Sequence, residues 1–148
     1  MDRHVSEAGA PRDRSPHRLV NPPELARPVG FSHAVVPADG RTVYLAGQTG
    51  HLADGTLAGG TLVEQFDQAL ANVVAALAGA GGSPEHLVRV HIYVTDAADY
   101  RGRLRALGDA WRRHLGAHYP ALALFEVAGL FDPDARVELV GTAVVPGA

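Results

Sequence analysis

Residues 61–82 read TLVEQFDQALANVVAALAGAGG, and this stretch decides which fold the sequence predicts. Thr61 and Glu64 have the spacing of a capping box, in which two side chains satisfy free backbone N–H groups at the start of a helix. Apolar residues then recur at helical spacing, at positions 62, 66, 69, 70, 73 and 77. Glycines at 79, 81 and 82 supply the stop. We expect an amphipathic helix whose apolar side needs a sheet or a second helix to cover it.

The segment that follows, LVRVHIYVT at residues 87–95, alternates strictly between two kinds of side chain. This period of two predicts a strand whose two faces have different neighbours. Ser83 and Pro84 before it predict a short helical turn. A second helix is expected from about Ala97 to Leu115, with most of its arginines outside. Its predicted buried positions are 100, 104, 107, 111 and 115.

Two pairs of strands complete the predicted fold. FSHAVVP (31–37) and TVYLAGQTG (42–50) flank the turn residues Asp39-Gly40, which predicts an antiparallel hairpin. ALALFEVAGL and ARVELVGTAVV close the chain around the turn-forming FDPD. This order of strands and helices predicts an α+β fold with one sheet and both helices on a single face. The other face is too apolar for water, so we expect a closed homo-oligomer.

The composition is that of an ordinary globular domain. The chain has 148 residues, of which 47% are hydrophobic, and a net charge of -3 that favours no nucleic-acid partner. The lack of cysteine excludes disulfides and thiolate catalysis. No apolar run approaches the roughly 20 residues that span a bilayer, and the first residues lack the apolar core of a secretory signal. We therefore expect a cytoplasmic protein with no membrane partner, metal or cofactor.

The amino-terminal residues differ from the rest in composition. They are rich in Pro, Arg, Asp and Ser and show no hydrophobic periodicity. Residues 1–18 are therefore expected to form a flexible extension, and residues 19–148 a single domain.

Six segments together carry a resemblance to a known family. They are VGFSHAV, VYLAGQTG, EQFDQALANVVAALAGAGG, VRVHIYVTD, YPALALFEVAGL and VELVGTAVV, and they cover roughly residues 28–146. In these words the chain resembles the RidA/YjgF family. The resemblance implies a chorismate-mutase-like fold assembled as a homotrimer, with a central barrel and with small-molecule pockets between subunits. It also implies the family chemistry, which is hydrolysis of reactive enamines and imines such as 2-aminoacrylate to a keto acid and ammonia.

The resemblance assigns the family's pocket to positions of this chain, several of which have changed. The aromatic position after the family's Gly-Pro is Phe31, without a hydroxyl, and the family's SGQ turn is Ala46, Gly47 and Gln48, without the serine. The arginine of the family's PAR word, which clamps the substrate carboxylate, corresponds to Leu122. The acidic residue that the family uses near the bound water, in the word VEIE, corresponds to Glu138. The family's asparagine on the second helix falls near Leu104 or Arg105.

These replacements predict an unusual ligand. A bidentate arginine–carboxylate contact contributes roughly 1.5–3 kcal/mol, and a leucine cannot supply it. We therefore expect weak or no activity on 2-aminoacrylate, and a larger or more apolar ligand against a wall of Phe31, Ala46, Leu122 and Leu124. Glu138 would activate water as the catalytic residue. Gln48 and the backbone near Gly47 would contact the polar end of the ligand.

Each histidine has a structural and a functional interpretation. His33 and His51 flank the predicted pocket and could serve as acid, base or polar contact, or could be ordinary surface histidines. His91 is expected to line the barrel. His114 and His118 have i, i+4 spacing, but a predicted helix end between them and the lack of a nearby carboxylate argue against a metal site.

Three functions stay open at this level. The preferred one is imine or enamine hydrolysis in an intersubunit pocket. The alternatives are a noncatalytic ligand-binding or chaperone-like trimer, and a tailoring enzyme of specialised metabolism that uses the same pocket. The arginine-rich side of the second helix could suggest RNA, but interspersed aspartates on a net-acidic chain favour a solvated surface.

Overall fold

The structure is a computed structural model that describes residues 15–147. In chain order its elements are β1 Arg18–Val20, β2 Ala34–Val36, β3 Gly40–Tyr44, α1 Leu62–Gly79, a 3-10 turn Pro84–His86, β4 Leu87–Val94, α2 Ala97–Gly102, α3 Leu104–Leu115, β5 Ala121–Glu126 and β6 Val137–Pro146.

Four of the strands form one mixed sheet, in the order β3-β6-β4-β5, and β1 pairs with β2 in a separate ribbon. Strand β5 runs parallel to β4, whereas β6 is antiparallel to β3 and β4. A parallel pair needs a crossover connection, and α2 and α3 provide it. Helices α1 and α3 pack together, and their apolar residues share one core with β4 and β6. The predicted α+β class, with a mixed sheet and helices on one face, is confirmed.

Pairing register fixes which side chains face the helices. Leu122 and Leu124 of β5 lie opposite Val90 and Ile92 of β4, which are buried in the core under the helices. Side chains alternate along a strand, so the odd-numbered residues of β4 lie on the other face of the sheet. Tyr93 there is the register partner of Glu138. The sheet therefore separates the two leucines from the glutamate.

Helix α1 confirms the prediction for residues 61–82. The Thr61 hydroxyl accepts a hydrogen bond from the Glu64 N–H, and the Glu64 carboxylate accepts one from the Thr61 N–H. Both halves of the capping box are therefore formed, and each satisfies a backbone donor that the helix itself cannot pair. Gly81 follows the helix with a φ of 84°, a conformation that glycine adopts readily.

A buried glutamine joins helix α1 to two loops. The Gln65 amide nitrogen donates to the carbonyls of Gly59 and Asp134 at 3.0 and 3.1 Å, and its amide oxygen accepts from the Arg136 N–H at 2.7 Å. Gln65 is fully buried. Because all these polar groups pair with each other, the amide can lie in the core without an unsatisfied donor or acceptor.

The predicted hairpin around Asp39-Gly40 is wrong. Strand β2 pairs with β1, where Val35 lies opposite Leu19, and β3 pairs with β6. The chain bends at Asp39, but Gly40 lacks a positive φ and already belongs to β3, so β2 and β3 do not pair across it. Long-range pairing has overridden a local turn signal.

The predicted boundary of the amino-terminal extension needs a correction. Residues 1–14 lie outside the described residues. The Ser15 hydroxyl donates to the Glu85 carbonyl at 2.7 Å, and buried His17 bonds through Nε2 to the His86 carbonyl and through Nδ1 to the Ala38 N–H. Residues 15–18, which the sequence assigned to the extension, therefore pack onto the domain and continue into β1.

The second helix is divided in two, where a single helix was predicted. Helix α2 ends at Gly102, and Arg103 has φ -122° and ψ 20°, outside the α-helical range. Helix α3 then continues to Leu115. The two glycines at 102 and 108 lower helix propensity over this stretch, and the break falls at the first of them.

The face of the sheet away from the helices carries an aromatic cluster. Tyr93 stacks on Phe125 with ring centroids 5.4 Å apart, and His91 meets Phe125 edge to face at 5.6 Å. Phe125 and Tyr44 are exposed. An exposed apolar patch of this kind is typical of an interface, and the homotrimer stays a prediction. Within residues 15–147, no helix is long and apolar enough to cross a bilayer.

Replacement of Gly108 by alanine should stabilise the protein by about 0.5–1 kcal/mol, because alanine is the better helix former. A Cβ at this position would lie 3.5 Å from Arg112 Nη1, an ordinary contact. The free energy of unfolding in urea measures the change. Gly81→Ala is the matched control and should destabilise, since φ at Gly81 is positive. A loss of stability in Gly108→Ala would contradict the helical role assigned to residue 108.

Candidate functional site

An apolar cavity of about 640 Å³ lies between the helices and β5. Its lining comes from the turn before β2, from all three helices, from Tyr119 before β5 and from β5 itself: Val29, Gly30, Phe31, Phe66, Tyr100, Leu104, Leu107, Gly108, Trp111, Arg112, Tyr119, Leu122 and Leu124. This volume is within the range of pockets that hold drug-sized ligands.

The cavity has a buried floor and an open mouth. Phe66, Leu107 and Trp111 on the floor are 1%, 2% and 6% exposed, whereas Val29 and Leu104 at the mouth are 83% and 58% exposed. Two aromatic contacts stiffen the walls, namely an edge-to-face contact of Phe66 with Tyr100 and a stack of Trp111 on Tyr119. Apolar side chains that are exposed to solvent at the mouth indicate a site that an apolar ligand would cover.

Backbone bonds place Phe31 beside β5. Ser32 donates through its N–H to the Pro120 carbonyl at 3.0 Å and through its hydroxyl to the Tyr119 carbonyl at 2.7 Å. These bonds hold the turn that precedes β2 against the start of β5. Phe31 therefore joins Leu122 and Leu124 in the cavity wall. Three of the four residues predicted to form the apolar wall lie together, and Leu104, one of the two positions named for the family asparagine, lies at the mouth.

Ala46 and His33 do not line this cavity. The Ala46 carbonyl accepts a hydrogen bond from the Gln48 side chain at 3.3 Å. His33 bonds through Nε2 to the Ala26 carbonyl at 2.7 Å, and its ring meets the Phe31 ring edge to face at 5.1 Å. His33 is thus placed to hold the preceding loop and to buttress Phe31 rather than to contact a ligand in the cavity.

Glu138, Gly47 and Gln48 form a second group. A Cβ on Gly47 would come within 2.5 Å of Glu138 Oε1, so the carboxylate lies directly on the Gly47 backbone. Gln48 and Leu139 exchange two backbone hydrogen bonds, at 2.8 and 2.9 Å, which fix this loop on β6. The glycine turn and the acidic residue, which the resemblance assigns to the same pocket, therefore lie side by side. A side chain at position 47 would displace the carboxylate.

Within one chain the two groups do not meet. Leu122 and Leu124 face the helices, whereas Glu138 lies on the other face and on a strand that β4 separates from β5. The word VEIE contains two glutamates, and VELV matches it with Glu138 at the first and Val140 at the second. The chain thus retains one carboxylate of that word, on the face of the sheet that carries the aromatic cluster.

Comparison with known proteins agrees with the six segments that carry the resemblance. Residues 23–145 match the family described as "Endoribonuclease L-PSP", the family of RidA/YjgF proteins. The chain belongs to the RidA/YjgF family.

Several RidA/YjgF relatives cover most of the chain. A protein named 2-iminobutanoate/2-iminopropanoate deaminase, from Capra hircus, is 31% identical over 86% of this chain and 89% of its own length. A solved Rid family protein of unknown function from Yersinia pestis, YyfB, is 34% identical, with a TM-score of 0.79, over 87% of this chain and 98% of its own. A more distant relative, protein MMF1 from Saccharomyces cerevisiae, is named mitochondrial and is 25% identical over 79% of both chains. The cytoplasmic location therefore stays a prediction.

The RidA/YjgF cavity of this chain contains polar groups that sequence reasoning missed. These are the hydroxyls of Tyr100 and Tyr119 and the guanidinium of Arg112. Burial raises the pKa of the Tyr100 phenol, so it stays a neutral hydrogen-bond donor at physiological pH. Periodicity assigned Tyr100 to the buried side of a helix and Arg112 to the solvated side. For Tyr119 the only sequence signal of a place in the site was its position directly before Pro120 and Ala121, which match the family's Pro-Ala.

Two histidines with i, i+4 spacing bond to separate partners. His114 Nε2 lies 2.8 Å from Asp67 Oδ1, and His118 Nε2 lies 2.8 Å from the Leu87 carbonyl. Burial lowers the pKa of His118, so this ring is neutral at physiological pH. Among the described residues, no group of three or more potential ligands lies close enough together to hold a metal ion.

His51 lies in a hydrogen-bonded chain near the Glu138 group. Its Nδ1 is 2.5 Å from the Thr49 hydroxyl and its Nε2 is 2.9 Å from Asp132 Oδ2. The Asp134 N–H donates to the other Asp132 oxygen at 2.9 Å. This N–H and then His51 lower the pKa of the Asp132 carboxyl. The contacts join the loop after β3 to the loop before β6.

Replacement of Asp132 by asparagine should destabilise the fold at neutral pH and lose its effect in acid. A carboxylate whose folded pKa is lowered stabilises the native state above its unfolded pKa of about 3.9, and this contribution is lost as the pH falls through the folded pKa. Urea unfolding of both proteins at a series of pH values tests this. The same comparison in a His51→Gln background should keep most of the pH dependence, because the Asp134 N–H is the larger cause. A difference that is independent of pH would contradict this account.

Proposed function

We propose that this RidA/YjgF protein hydrolyses a reactive imine or enamine that is larger and more apolar than 2-aminoacrylate. One observation carries the proposal: Leu122, which the resemblance assigns to the substrate pocket, lines an apolar cavity of about 640 Å³ together with Phe31 and Leu124. The relatives named as deaminases of small 2-imino acids support the reaction class. A small imine would leave most of this cavity unfilled.

The wall also lacks the contact that would select small acids. No arginine occurs in β5, whose sequence is ALALFE. Transfer of a carboxylate next to leucine side chains without a paired cation is strongly unfavourable. Apolar groups gain roughly 25 cal/mol for each Å² removed from water. The lining therefore favours the apolar part of a ligand at Leu122 and disfavours a charged one there.

The proposed reaction adds water across the C=N bond. Oxygen from water bonds to the imine carbon, the C–N bond breaks, and nitrogen leaves as ammonia while a carbonyl compound remains. Glu138 is the proposed base that takes the proton from water. Because Glu138 lies on the opposite face of the sheet from the cavity, it would serve the cavity of a neighbouring copy in a homotrimer. The exposed aromatic cluster beside it supports such an interface.

Two alternatives use the same cavity. A noncatalytic ligand-binding or chaperone-like trimer is favoured by the position of Glu138 on the opposite face of the sheet from the cavity. A tailoring enzyme of specialised metabolism would also need a large apolar cavity. For RNA, three arginines on the polar side of α3 and next to it already pair with aspartates, Arg103 with Asp99, Arg112 with Asp109 and Arg113 with Asp67. These pairs reduce the charge offered to phosphates, so no nucleic-acid partner is proposed.

Substitution of Glu138 by glutamine should abolish ammonia release from bulky imines while ligand affinity stays within a few-fold, since the amide has the same shape but is not a base. Steady-state ammonia release and equilibrium binding measure the two effects. Full turnover by Glu138→Gln would rule out the role of Glu138. Binding without turnover in the wild type would favour the noncatalytic alternative.

Mixed assembly tests the shared site. The partner variant is Leu104→Trp, which fills the exposed mouth of the cavity and should be inactive. Unfolding and refolding the two inactive variants together should restore about one quarter of wild-type activity, because a quarter of random interfaces join an open cavity to an intact Glu138. No restoration would mean that both groups act within one chain.

Leu122→Arg introduces the family arginine and should raise 2-aminoacrylate hydrolysis by about 10- to 100-fold. This factor corresponds to the roughly 1.5–3 kcal/mol of a bidentate arginine–carboxylate contact. Leu122→Met is the matched control, since it keeps apolar volume without charge and should leave 2-aminoacrylate activity unchanged. The kcat/KM for 2-aminoacrylate generated in situ measures both. A folded Leu122→Arg protein without any gain would show that other replacements also exclude the small substrate.

A further inference from the structure

One cationic side chain reaches the apolar cavity. Among the described residues that line it, Arg112 alone carries a charge. Its side chain is 55% exposed, so it lies at the mouth with Val29 and Leu104 and not on the floor. The cavity therefore has one cationic group at its mouth, with Asp109 beside it, and an uncharged interior.

The guanidinium is held in place but is not saturated. It lies over Gly108, with Nη1 and Nη2 3.5 and 3.8 Å from the position of a Cβ on that glycine. Nη2 donates to Asp109 Oδ1 at 2.5 Å. Asp109, and after it Tyr119, raises the pKa of Arg112, so the group is always charged. A guanidinium has five N–H donors, of which the Asp109 bond uses one and a contact with the Tyr119 side chain engages another, so donors remain for a ligand.

Asp109 is a weak competitor for a ligand. The pair is more than half exposed on both sides, and exposed ion pairs contribute only about 0–1 kcal/mol. A ligand carboxylate whose apolar body is already buried in the cavity brings its charge to Arg112 at little further entropic cost. It can therefore bind the free N–H groups of the guanidinium beside Asp109, or replace Asp109.

We propose that Arg112 determines specificity by binding the carboxylate of the substrate at the mouth, while a bulky apolar side chain occupies the interior. This inference rests on the proposed function and names its substrate class, which is 2-imino acids with large apolar or aromatic side chains. The carboxylate is held by a helix here, and not by β5. The imine carbon, one bond from the carboxylate, then lies near the mouth and the Tyr119 hydroxyl, where water can reach it.

The chemistry balances without a further reagent. A 2-imino acid and one water give a 2-oxo acid and ammonia, and no oxidant or reductant takes part. The carboxylate that Arg112 binds is unchanged in the product. Arg112 is therefore a binding residue for substrate and product alike, and its loss should raise KM more than it lowers kcat.

The single tryptophan of the chain allows a direct binding test. Trp111 lines the cavity, so its fluorescence reports occupancy. The probes are 3-phenylpropanoate and its uncharged amide, 3-phenylpropanamide, which differ only in charge at one end. We expect the wild type to bind the acid about 10- to 100-fold more tightly than the amide, the range of a charge-assisted contact.

Variants of Arg112 should remove this preference selectively. In Arg112→Met the acid should bind no better than the amide, and the amide affinity should not change. Arg112→Lys should keep part of the preference, because it keeps the charge without the bidentate geometry. Arg113→Met is the matched control, since this neighbouring arginine pairs with Asp67 outside the cavity lining and its loss should preserve the preference. Asp109→Asn should tighten acid binding a few-fold.

The outcomes separate the two levels of the proposal. If both probes change Trp111 fluorescence with equal affinity, the role of Arg112 is wrong and the apolar cavity remains a ligand site. If neither probe binds, the cavity is not a ligand site and the proposed function is wrong as well. Acid preference that survives in a folded Arg112→Met protein would also overturn the inference.

Discussion

The parallel pairing of β5 with β4 is the constraint on which the proposed site depends. Once Leu122 is set opposite Val90 and Leu124 opposite Ile92, the two leucines must face the helices, because strand side chains alternate. They then enclose the cavity together with aromatic residues of the helices. The antiparallel register of β6 with β4, which sets Glu138 opposite Tyr93, places Glu138 on the other face, where its carboxylate lies on Gly47. The two registers on β4 therefore fix both the apolar character of the cavity and the position of Glu138 away from it.

Local sequence signals predicted the elements well and their partners less well. The capping box at Thr61 and Glu64 and the alternation of residues 87–95 both report interactions within a few residues, and both are formed. The chain also bends at Asp39, yet β2 pairs with β1 and β3 with β6. Strand pairing is decided by residues far apart in the chain, and no local pattern encodes it. The break at Arg103 likewise came from weak propensity spread over several residues.

For the candidate site as well, sequence patterns predicted some of the residues and missed others. The sequence predicted one wall of Phe31, Ala46, Leu122 and Leu124, and the cavity contains all of them except Ala46. It did not separate them from Glu138, because the face of a strand residue depends on pairing register. Arg112 was missed for a different reason. Helical periodicity divides residues into a buried side and a solvated side. Arg112 lies at the border of the cavity, so it is partly exposed to solvent and also lines the site.

The position of the cavity, wholly on the helix side of the sheet, has a consequence for protein engineering. Its lining can be randomised at the mouth and along β5 while the strand face that bears Glu138 and the aromatic cluster keeps its composition. A combinatorial library built on those lining positions would therefore vary the proposed substrate scope and leave the predicted assembly surface unchanged.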